Sequence, residues 1–295
     1  MTITPSIVAT LATRAAIDDL RILLSSLHFW NERAPDVYLY CDTAIAKVVP
    51  ALKYAGRIFV KEALDAYTPY TRAQMERMPG KHFATLWFDF MTEKINLLRW
   101  AFDESKGGDG VLFCDADICF LAPLPQIPSD AKVALSPHMI READSKRFGH
   151  YNGGFAWFLE RRLADVWWEK CGTARYYEQS ALEDVAAEVR GENATALYEF
   201  PVTQNYGWWR MWQGDKTPEE LQAEWKIHRG DKQAKHSAIM IGGVPLGSVH
   251  THFHEGKDIP TMTFNRHVKE LLTLIAMRYE PTRKFLKFMK WAVPI

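Results

Sequence analysis

The segment Val111–Asp117, with the sequence VLFCDAD, places four apolar residues directly before a pair of carboxylates. The apolar residues predict a short buried strand. A helical pattern over about Phe90–Ser105 precedes this strand and ends in the glycine-rich stop signal Lys106–Gly110. Ligands of open α/β sheets bind just beyond the carboxyl ends of the strands. Asp115 and Asp117 therefore lie where a binding site is expected.

Upstream of this segment, short runs with strand character alternate with longer runs of helical periodicity. Apolar and β-branched runs predict strands, whereas apolar residues three and four positions apart predict helices. This alternation indicates βαβ units, and hence an α/β fold with a mainly parallel central sheet. The predicted elements are strands Ser6–Ala12, Val37–Cys41 and Arg57–Val60 and helices Ile17–Trp30 and Ala44–Tyr54.

Composition narrows the classes of function. The chain has 295 residues, 47% of them hydrophobic, which is enough apolar material for a core and excludes disorder as the main state. The 36 basic and 36 acidic residues balance, so no overall field draws the protein onto nucleic acid. No repeat or linker divides the sequence, and a single domain is favoured.

Several features predict a cytoplasmic protein. The four cysteines contain no C-x-x-C pair, which favours reduced thiols over disulfides or a zinc site. The N-terminus lacks a basic region followed by an apolar run, and no apolar stretch approaches the ~20 residues of a membrane-spanning helix. Near the C-terminus, residues His267–Trp291 predict two helices broken at Pro281, the second basic and amphipathic. Such a helix contacts an anionic membrane surface or a nucleic-acid backbone, or docks on its own domain.

Asp115 and Asp117 have the chemistry of a metal site. Residues two apart on an extended chain point to the same side. Two carboxylates held together among apolar neighbours repel each other and need a cation or a proton. Oxygen ligands suit Mg²⁺ or Mn²⁺, which in turn bind phosphate oxygens. The alternative is a solvated turn.

Three histidines, His250, His252 and His254, alternate along a segment that predicts a strand, so all three are expected on one face. A neutral imidazole can complete a metal shell with the aspartates, or the three histidines can form a zinc site of their own. A solvent-facing strand with alternating polar residues is the plain alternative.

The acidic segment and the Ala122-Pro123-Leu124 turn after it resemble the D-x-D strand of nucleotide-sugar-dependent glycosyltransferases of the GT-A fold. Further segments follow in the order found in such enzymes, and the last of them resembles the H-x-x-G…K element of glycosyltransferase family 8-like members. These matching positions are Lys94, His150–Phe155, Tyr177–Leu182 and Val249–Lys257. The resemblance covers most of the chain, from about Ile7 to Lys257.

The resemblance implies a single GT-A catalytic domain over residues 1–295, with a mixed, mainly parallel sheet flanked by helices. Its parts would be a nucleotide-binding half (1–120), an acceptor-side half (121–262) and a C-terminal helical tail (263–295). It also implies transfer of a hexosyl or related sugar from a UDP-sugar, with Mn²⁺ or Mg²⁺ as cofactor. Asp115 and Asp117 match the metal ligands, with His252 the first choice for the late ligand and His254 the second.

The same resemblance implies roles for residues around the donor. Glu178 and Gln179 match catalytic positions that contact the donor sugar. The family's usual Asp is Glu178 here, so its role is either that contact or that of a base. The positions that match contacts to the nucleotide, its phosphates or the sugar are Thr10, Arg14, Lys94, Asn152, Gly153, Gly154 and Lys257. Arg14 suits a bidentate diphosphate contact, and a turn at Asn152–Gly154 would let the backbone approach the ligand.

Other functions stay open at this point. A sugar nucleotidyltransferase or pyrophosphatase shares the chemistry, but no glycine-rich basic loop for nucleotidyl transfer occurs near the N-terminus. A sugar- or metal-binding protein without turnover is the non-enzymatic alternative. The acceptor would be a glycan, a lipid-linked sugar, a protein or a modified nucleic-acid base. Trp208, Trp209 and Trp212 form either an acceptor platform or part of the core.

Overall fold

The structure is a computed structural model that describes residues 1–105, 108–228, 235–254 and 258–292. Its strands lie mostly in the first two-thirds of the chain. They are Thr2–Ile3 (β1), Ile7–Ala12 (β2), Asp36–Cys41 (β3), Ile58–Glu62 (β4), Val111–Cys114 (β5), Ile118–Phe120 (β6), Ile127–Pro128 (β7), Val133–Pro137 (β8), Tyr151–Phe158 (β9), Leu197–Glu199 (β10), Tyr206–Gly207 (β11), Trp225–Ile227 (β12), Ile239–Ile241 (β13), Val244–Pro245 (β14) and Ser248–His250 (β15).

The helices separate these strands and close the chain. They are Ile17–Trp30 (α1), Thr43–Val48 (α2), Arg72–Met75 (α3), Leu86–Ser105 (α4), Glu142–Phe148 (α5), Arg161–Cys171 (α6), Tyr177–Glu192 (α7), Arg210–Gln213 (α8), Pro218–Glu224 (α9), Ile259–Ala276 (α10) and Glu280–Phe288 (α11). None of the described helices is long and apolar enough to cross a membrane.

The central sheet has seven strands among the described residues, in the order β10-β8-β9-β5-β2-β3-β4. Strands β2, β3, β4 and β5 run parallel, and β10 runs parallel to β8. Strand β9 is antiparallel to both β5 and β8, which makes the sheet mixed. The predicted α/β class and the mainly parallel, mixed sheet are confirmed.

Apolar residues cover both faces of this sheet. Helix α1 buries Leu20, Leu23, Leu24 and Leu27, the three- and four-residue spacing that its sequence predicted, in one core with Phe264 and Phe285 of α10 and α11. Helices α4, α6 and α7 pack in a second core. Because apolar residues cover both faces of the sheet, a ligand site is expected at the ends of its strands.

Local signals account for most of the boundaries, and three predicted helices differ from the structure. The helix expected from His267 begins eight residues earlier, at Ile259 (α10). Helix α2 ends at Val48 and continues only as a 3₁₀ turn over Val49–Ala51, because Pro50 cannot extend the α-helical hydrogen bonding. Helix α4 begins at Leu86, four residues before the predicted start. The break between the C-terminal helices is confirmed, with Pro281 in the first turn of α11.

A small second sheet completes the acidic end of β5. Its strands are ordered β11-β15-β6, and β6 begins directly after Asp117. Strand β15 pairs antiparallel with β6 so that His250 lies opposite Ile118. This pairing brings a histidine from late in the sequence beside the two aspartates.

Candidate functional site

The two aspartates lie on the short link between β5 and β6. The Asp115 backbone N–H donates to the carbonyl of Gly154 at 2.9 Å, and the Asp117 carbonyl accepts from the Thr251 N–H at 2.9 Å. Their side chains are largely enclosed, with 30% of Asp115 and 12% of Asp117 exposed. The backbone therefore holds both carboxylates at the carboxyl end of the strand, as the sequence predicted.

His250 completes a three-residue cluster with these carboxylates. Its Nε2 lies 3.1 Å from Oδ1 of Asp117 and 3.8 Å from Oδ2 of Asp115. One ligand atom of each residue lies within 4.8 Å of the other two. Two carboxylate oxygens and one imidazole nitrogen form a donor set suited to a divalent cation such as Mn²⁺.

Hydrogen bonds orient the His250 ring. The Gly154 N–H donates to Oδ1 of Asn152 at 3.0 Å, so this oxygen is an acceptor and the Asn205 amide nitrogen, also 3.0 Å away, donates to it. Oδ1 of Asn205 then accepts from Nδ1 of His250 at 3.1 Å. With Nδ1 directed at Asn205, Nε2 is the ring nitrogen that faces the carboxylates and the one through which His250 would bind a metal.

His252, the first choice from the sequence, lies on the other side of Asp117. Its Nδ1 is 2.8 Å from Oδ2 of Asp19, and its Nε2 is 3.4 Å from the second carboxylate oxygen of Asp117. The expected strand over the three histidines is wrong, because β15 ends at His250 and the chain turns. His254 is exposed in that turn.

The imidazoles keep Asp117 ionised. Burial alone would raise the pKa of Asp117, but His250 and then His252 oppose it and bring the pKa to about 2. A carboxylate with this pKa carries its charge at neutral pH and is ready to bind a cation.

Lys94 and Glu178 form a buried ion pair beside Asp115. Lys94, on α4, places Nζ 2.7 Å from Oε1 of Glu178, 3.2 Å from the carbonyl of Gly153 and 3.8 Å from Oδ1 of Asp115. Burial by itself would lower the pKa of Lys94, but the carboxylates of Asp115 and Glu178 raise it above its ordinary value. Burial raises the pKa of Glu178, with Lys94 acting in the opposite direction. The ammonium thus balances charge behind the cluster.

Gly153 and Gly154 lie within β9, so the turn expected at Asn152–Gly154 is wrong. The absence of side chains matters because the functional groups pack directly on this strand. A Cβ on Gly154 would come within 2.6 Å of Cε1 of His250 and even closer to Oδ2 of Asp115, and one on Gly153 would lie 2.8 Å from Oε1 of Glu178. The glycines make room for the protein's own carboxylates and imidazole.

Gln179 holds this strand in place. Its Oε1 accepts from the Gly153 N–H at 3.1 Å, and its Nε2 donates to the carbonyl of Phe148 at 2.8 Å. Both ends of the amide are therefore bonded to backbone, next to Glu178 at the beginning of α7. The structure thus brings together Lys94, Gly153, Gly154, Glu178 and Gln179, and the contacts with a donor that the sequence predicted for them stay a prediction.

The two N-terminal residues predicted to contact the nucleotide, Thr10 and Arg14, differ in their exposure to solvent. Thr10 lies inside β2 and is fully buried. Arg14 begins a 3₁₀ turn after β2, with an exposed side chain and a backbone N–H that donates to Oδ2 of Asp42 at 2.7 Å. Lys257 lies outside the described residues.

Two residues near the cluster were not identified from the sequence. Asn205 orients His250, and Asp19 contacts His252. Trp209, which was identified, is buried with its ring 4.9 Å from that of His250, whereas Trp212 is exposed. Asn205 directly precedes the glycine-tryptophan segment and β11, and this proximity is the signal in the sequence that would have indicated it.

Comparison with solved structures identifies the architecture. The chain aligns with the galactosyltransferase LgtC, crystallised with donor and acceptor sugar analogues, at 12% identity and a TM-score of 0.53, over 90% of this chain and 94% of that one. It also aligns with the glycosyltransferase GlyE of Streptococcus pneumoniae TIGR4 at 11% identity and a TM-score of 0.51, over 96% of this chain and 64% of that one. The chain has the GT-A fold.

A third solved structure, mouse xyloside xylosyltransferase 1, aligns at 13% identity and a TM-score of 0.46, over 83% of this chain and 96% of that one. No protein-family model matches the sequence, and no curated protein matches it either. The comparisons at these identities concern the fold, so the chemistry has to be argued from the site.

Proposed function

We propose that the protein is a metal-dependent glycosyltransferase that moves a hexosyl or related sugar from a nucleotide-diphosphate donor, a UDP-sugar, to a hydroxyl acceptor. The observation that carries this proposal is the cluster of Asp115, Asp117 and His250 at the carboxyl end of β5 in a GT-A fold. The family 8-like character inferred from the motifs belongs to the same proposal.

The cluster fits a divalent cation by its own chemistry. Asp115, Asp117 and His250 would hold Mn²⁺ or Mg²⁺, and the Nε2 lone pair of His250 is already directed by Asn205. A cation held there supplies positive charge to the leaving nucleoside diphosphate as the sugar–phosphate bond breaks. Arg14 and Lys257 are proposed to contact the nucleotide or its phosphates.

Neighbouring residues position the donor sugar in this proposal. Lys94 pairs with Glu178 at the end of the cluster that Asp115 occupies. Gln179 fixes the backbone of Gly153 between them. A charged, hydrogen-bonded wall of this kind can hold sugar hydroxyls in one orientation.

The proposal is tested by release of free UDP from UDP-galactose and UDP-glucose, with and without Mn²⁺. We expect slow release that depends on the metal, and a loss of about 100-fold or more in Asp117→Asn. Asp130→Asn, which removes an exposed carboxylate between β7 and β8, is the matched control and should behave as the original protein.

Two outcomes would point elsewhere. Release of pyrophosphate from UTP and a sugar phosphate would favour a sugar nucleotidyltransferase. Binding of Mn²⁺ and UDP without turnover of any UDP-sugar would favour a binding protein of the same fold.

The cellular location of the protein and the division of its domain into parts are also proposals. All four cysteines are free thiols, which supports a cytoplasmic location.

Helix α11 buries Phe285 and Leu286 in the core that it shares with α1 and α10, and it leaves Phe288 40% exposed beside Lys284 and Lys287. We propose contact of this helix with the inner face of a membrane; co-sedimentation with phosphatidylserine vesicles, lost in Lys284→Glu/Lys287→Glu, is the test.

The division into a nucleotide-binding half (1–120), an acceptor-side half (121–262) and a helical tail (263–295) is likewise proposed. The acceptor is a glycan, a lipid-linked sugar, a protein or a modified nucleic-acid base.

A further inference from the structure

Arg210 is a buried cation, and two of its three guanidinium nitrogens lack a hydrogen-bond acceptor among the described residues. It begins α8, and only 7% of its surface is exposed. Its Nε and Nη1 are shut off from solvent and have no hydrogen-bond partner among the described residues. The guanidinium lies 4.2 Å over the Tyr206 ring, which offsets part of the cost of removing its charge from water.

Electrostatics are consistent with an uncompensated charge. Burial lowers the pKa of the Arg210 guanidinium from its ordinary value, with Tyr206 and Glu224 acting in the opposite direction. Glu224 forms its ion pair with Lys216. A buried charge that lacks an acceptor lowers the stability of the folded state. Stability therefore does not explain why this position is an arginine.

Arg210 lines a cavity of about 230 Å³, and His150, Ser145 and Lys216 share its wall with one carboxylate, the exposed Asp215. The cavity is smaller than the roughly 300 to 1,000 Å³ of sites that enclose a whole small molecule. It therefore suits one group of a larger ligand.

Two residues of the cavity wall adjoin, in the sequence, segments that support the cluster of Asp115, Asp117 and His250. Arg210 directly follows Trp209, whose ring is 4.9 Å from that of His250. His150 directly precedes β9, two residues before Asn152, and the Asn152 side chain accepts from Asn205, which orients His250. The two segments that support the cluster, around Trp209 and around Asn152, therefore also contribute Arg210 and His150 to the wall of the cavity.

We propose that this cavity receives an oxyanion, a phosphate or a carboxylate, carried by the sugar acceptor. The acceptor assignment rests on the proposed glycosyltransferase function, whereas anion binding by Arg210 does not. Guanidinium groups bind both oxyanions through charge-assisted hydrogen bonds. An anion in the cavity would meet the positive charges of Arg210 and Lys216 and the polar side chains of His150 and Ser145 that line it.

Inorganic phosphate is the probe for the cavity, used without metal or nucleotide so that the result is independent of the proposed catalysis. We expect phosphate to raise the melting temperature of the original protein, with the logarithmic dependence on concentration of a single site. In Arg210→Met, phosphate affinity should fall about 10- to 100-fold. Chloride at equal ionic strength controls for screening.

Variants separate binding from structure. Arg210→Met should melt no lower than the original protein without phosphate, because it removes an unpaired buried charge. Lys216→Met, at an exposed position, should weaken phosphate about two- to fivefold. Arg162→Met removes an exposed arginine paired with Glu192 and should respond to phosphate like the original protein. An equal phosphate effect in Arg210→Met and the original protein would overturn the site.

The acceptor arm compares sugars that differ in one group, with Mn²⁺ and a UDP-sugar that the protein hydrolyses. Glucose 6-phosphate and glucuronic acid represent the two sources of the oxyanion, and glucose is the neutral control. We expect one acidic sugar to be glycosylated at least tenfold faster than glucose, which also identifies the source. Equal rates for all three would overturn the acceptor assignment, and failure of donor hydrolysis would instead count against the proposed function.

Discussion

Gly154→Ala is expected to disable the metal cluster while leaving the fold in place. The added Cβ would lie 2.6 Å from Cε1 of His250 and closer still to Oδ2 of Asp115, whereas ordinary contacts begin near 3.4 Å. His250 must therefore move by about 0.8 Å, and Asp115 by more. A misplacement of about 1 Å in such a site can cost about 100-fold in rate.

Calorimetric titration of Mn²⁺ into UDP-saturated protein measures this effect, and thermal unfolding reports the fold. We expect Mn²⁺ affinity to fall about 10- to 100-fold, with an unfolding cost of about 1–3 kcal/mol from the added methyl group. Gly191→Ala is the matched control, because its Cβ on α7 meets no atom within 4 Å. It should bind Mn²⁺ normally and unfold at the same or a slightly higher temperature.

Unchanged Mn²⁺ affinity in Gly154→Ala would refute the reasoning. It would mean that Asp115 and His250 can bind Mn²⁺ even when a methyl group fills the space beside Gly154.

Three further predictions concern the groups around the cluster. Asn205→Leu removes the acceptor for Nδ1 of His250 and should weaken Mn²⁺ about 10- to 100-fold in the same titration, while Asn205→Asp, which keeps an acceptor oxygen, should lose less. Lys94→Met leaves Glu178 as a buried unpaired charge and should lower the free energy of unfolding in urea by about 3–5 kcal/mol, most of which Lys94→Met/Glu178→Gln should restore. Burial lowers the pKa of His138 from 6.5 to about 4, so the folded state binds fewer protons than the unfolded one; its contribution, about 3 kcal/mol, is present above pH 6.5 and lost as the pH falls to 4. His138→Phe should flatten that part of the stability curve, and an unchanged curve would contradict the assignment.

Local patterns in the sequence were sufficient to predict the strands of the central sheet and the position of the acidic pair. The strand Val111–Cys114 and the stop signal before it follow from short-range chemistry, and the edge of an α/β sheet places Asp115 and Asp117 at the site. The buried face of α1 follows from its periodicity in the same way.

The identity of the histidine could not be predicted, since it depends on where β15 ends. Alternation predicts that three histidines share a face, but the chain leaves the strand after His250, which pairs opposite Ile118. That pairing joins residues more than a hundred positions apart. No local signal in the sequence fixes it.

The role of the glycines was misread for a related reason. A run of Asn and Gly is typical of a turn, yet Asn152–Gly154 lies within β9, where Asn152 pairs with Ser136 of β8 and the pairing register then shifts. The carboxylates that need the space come from α7 and from the end of β5, so the requirement for glycine is set by tertiary packing.

The central claim is that Asp115, Asp117 and His250 together hold the cation that binds the donor's diphosphate. The most direct measurement is a crystal structure with Mn²⁺ and UDP, with diffraction data collected at the manganese absorption edge. The account predicts an anomalous peak bonded to both carboxylates and to Nε2 of His250, with the diphosphate oxygens on its open side. A peak bonded to His252 or His254 instead of His250, or no peak beside the aspartates, would contradict it.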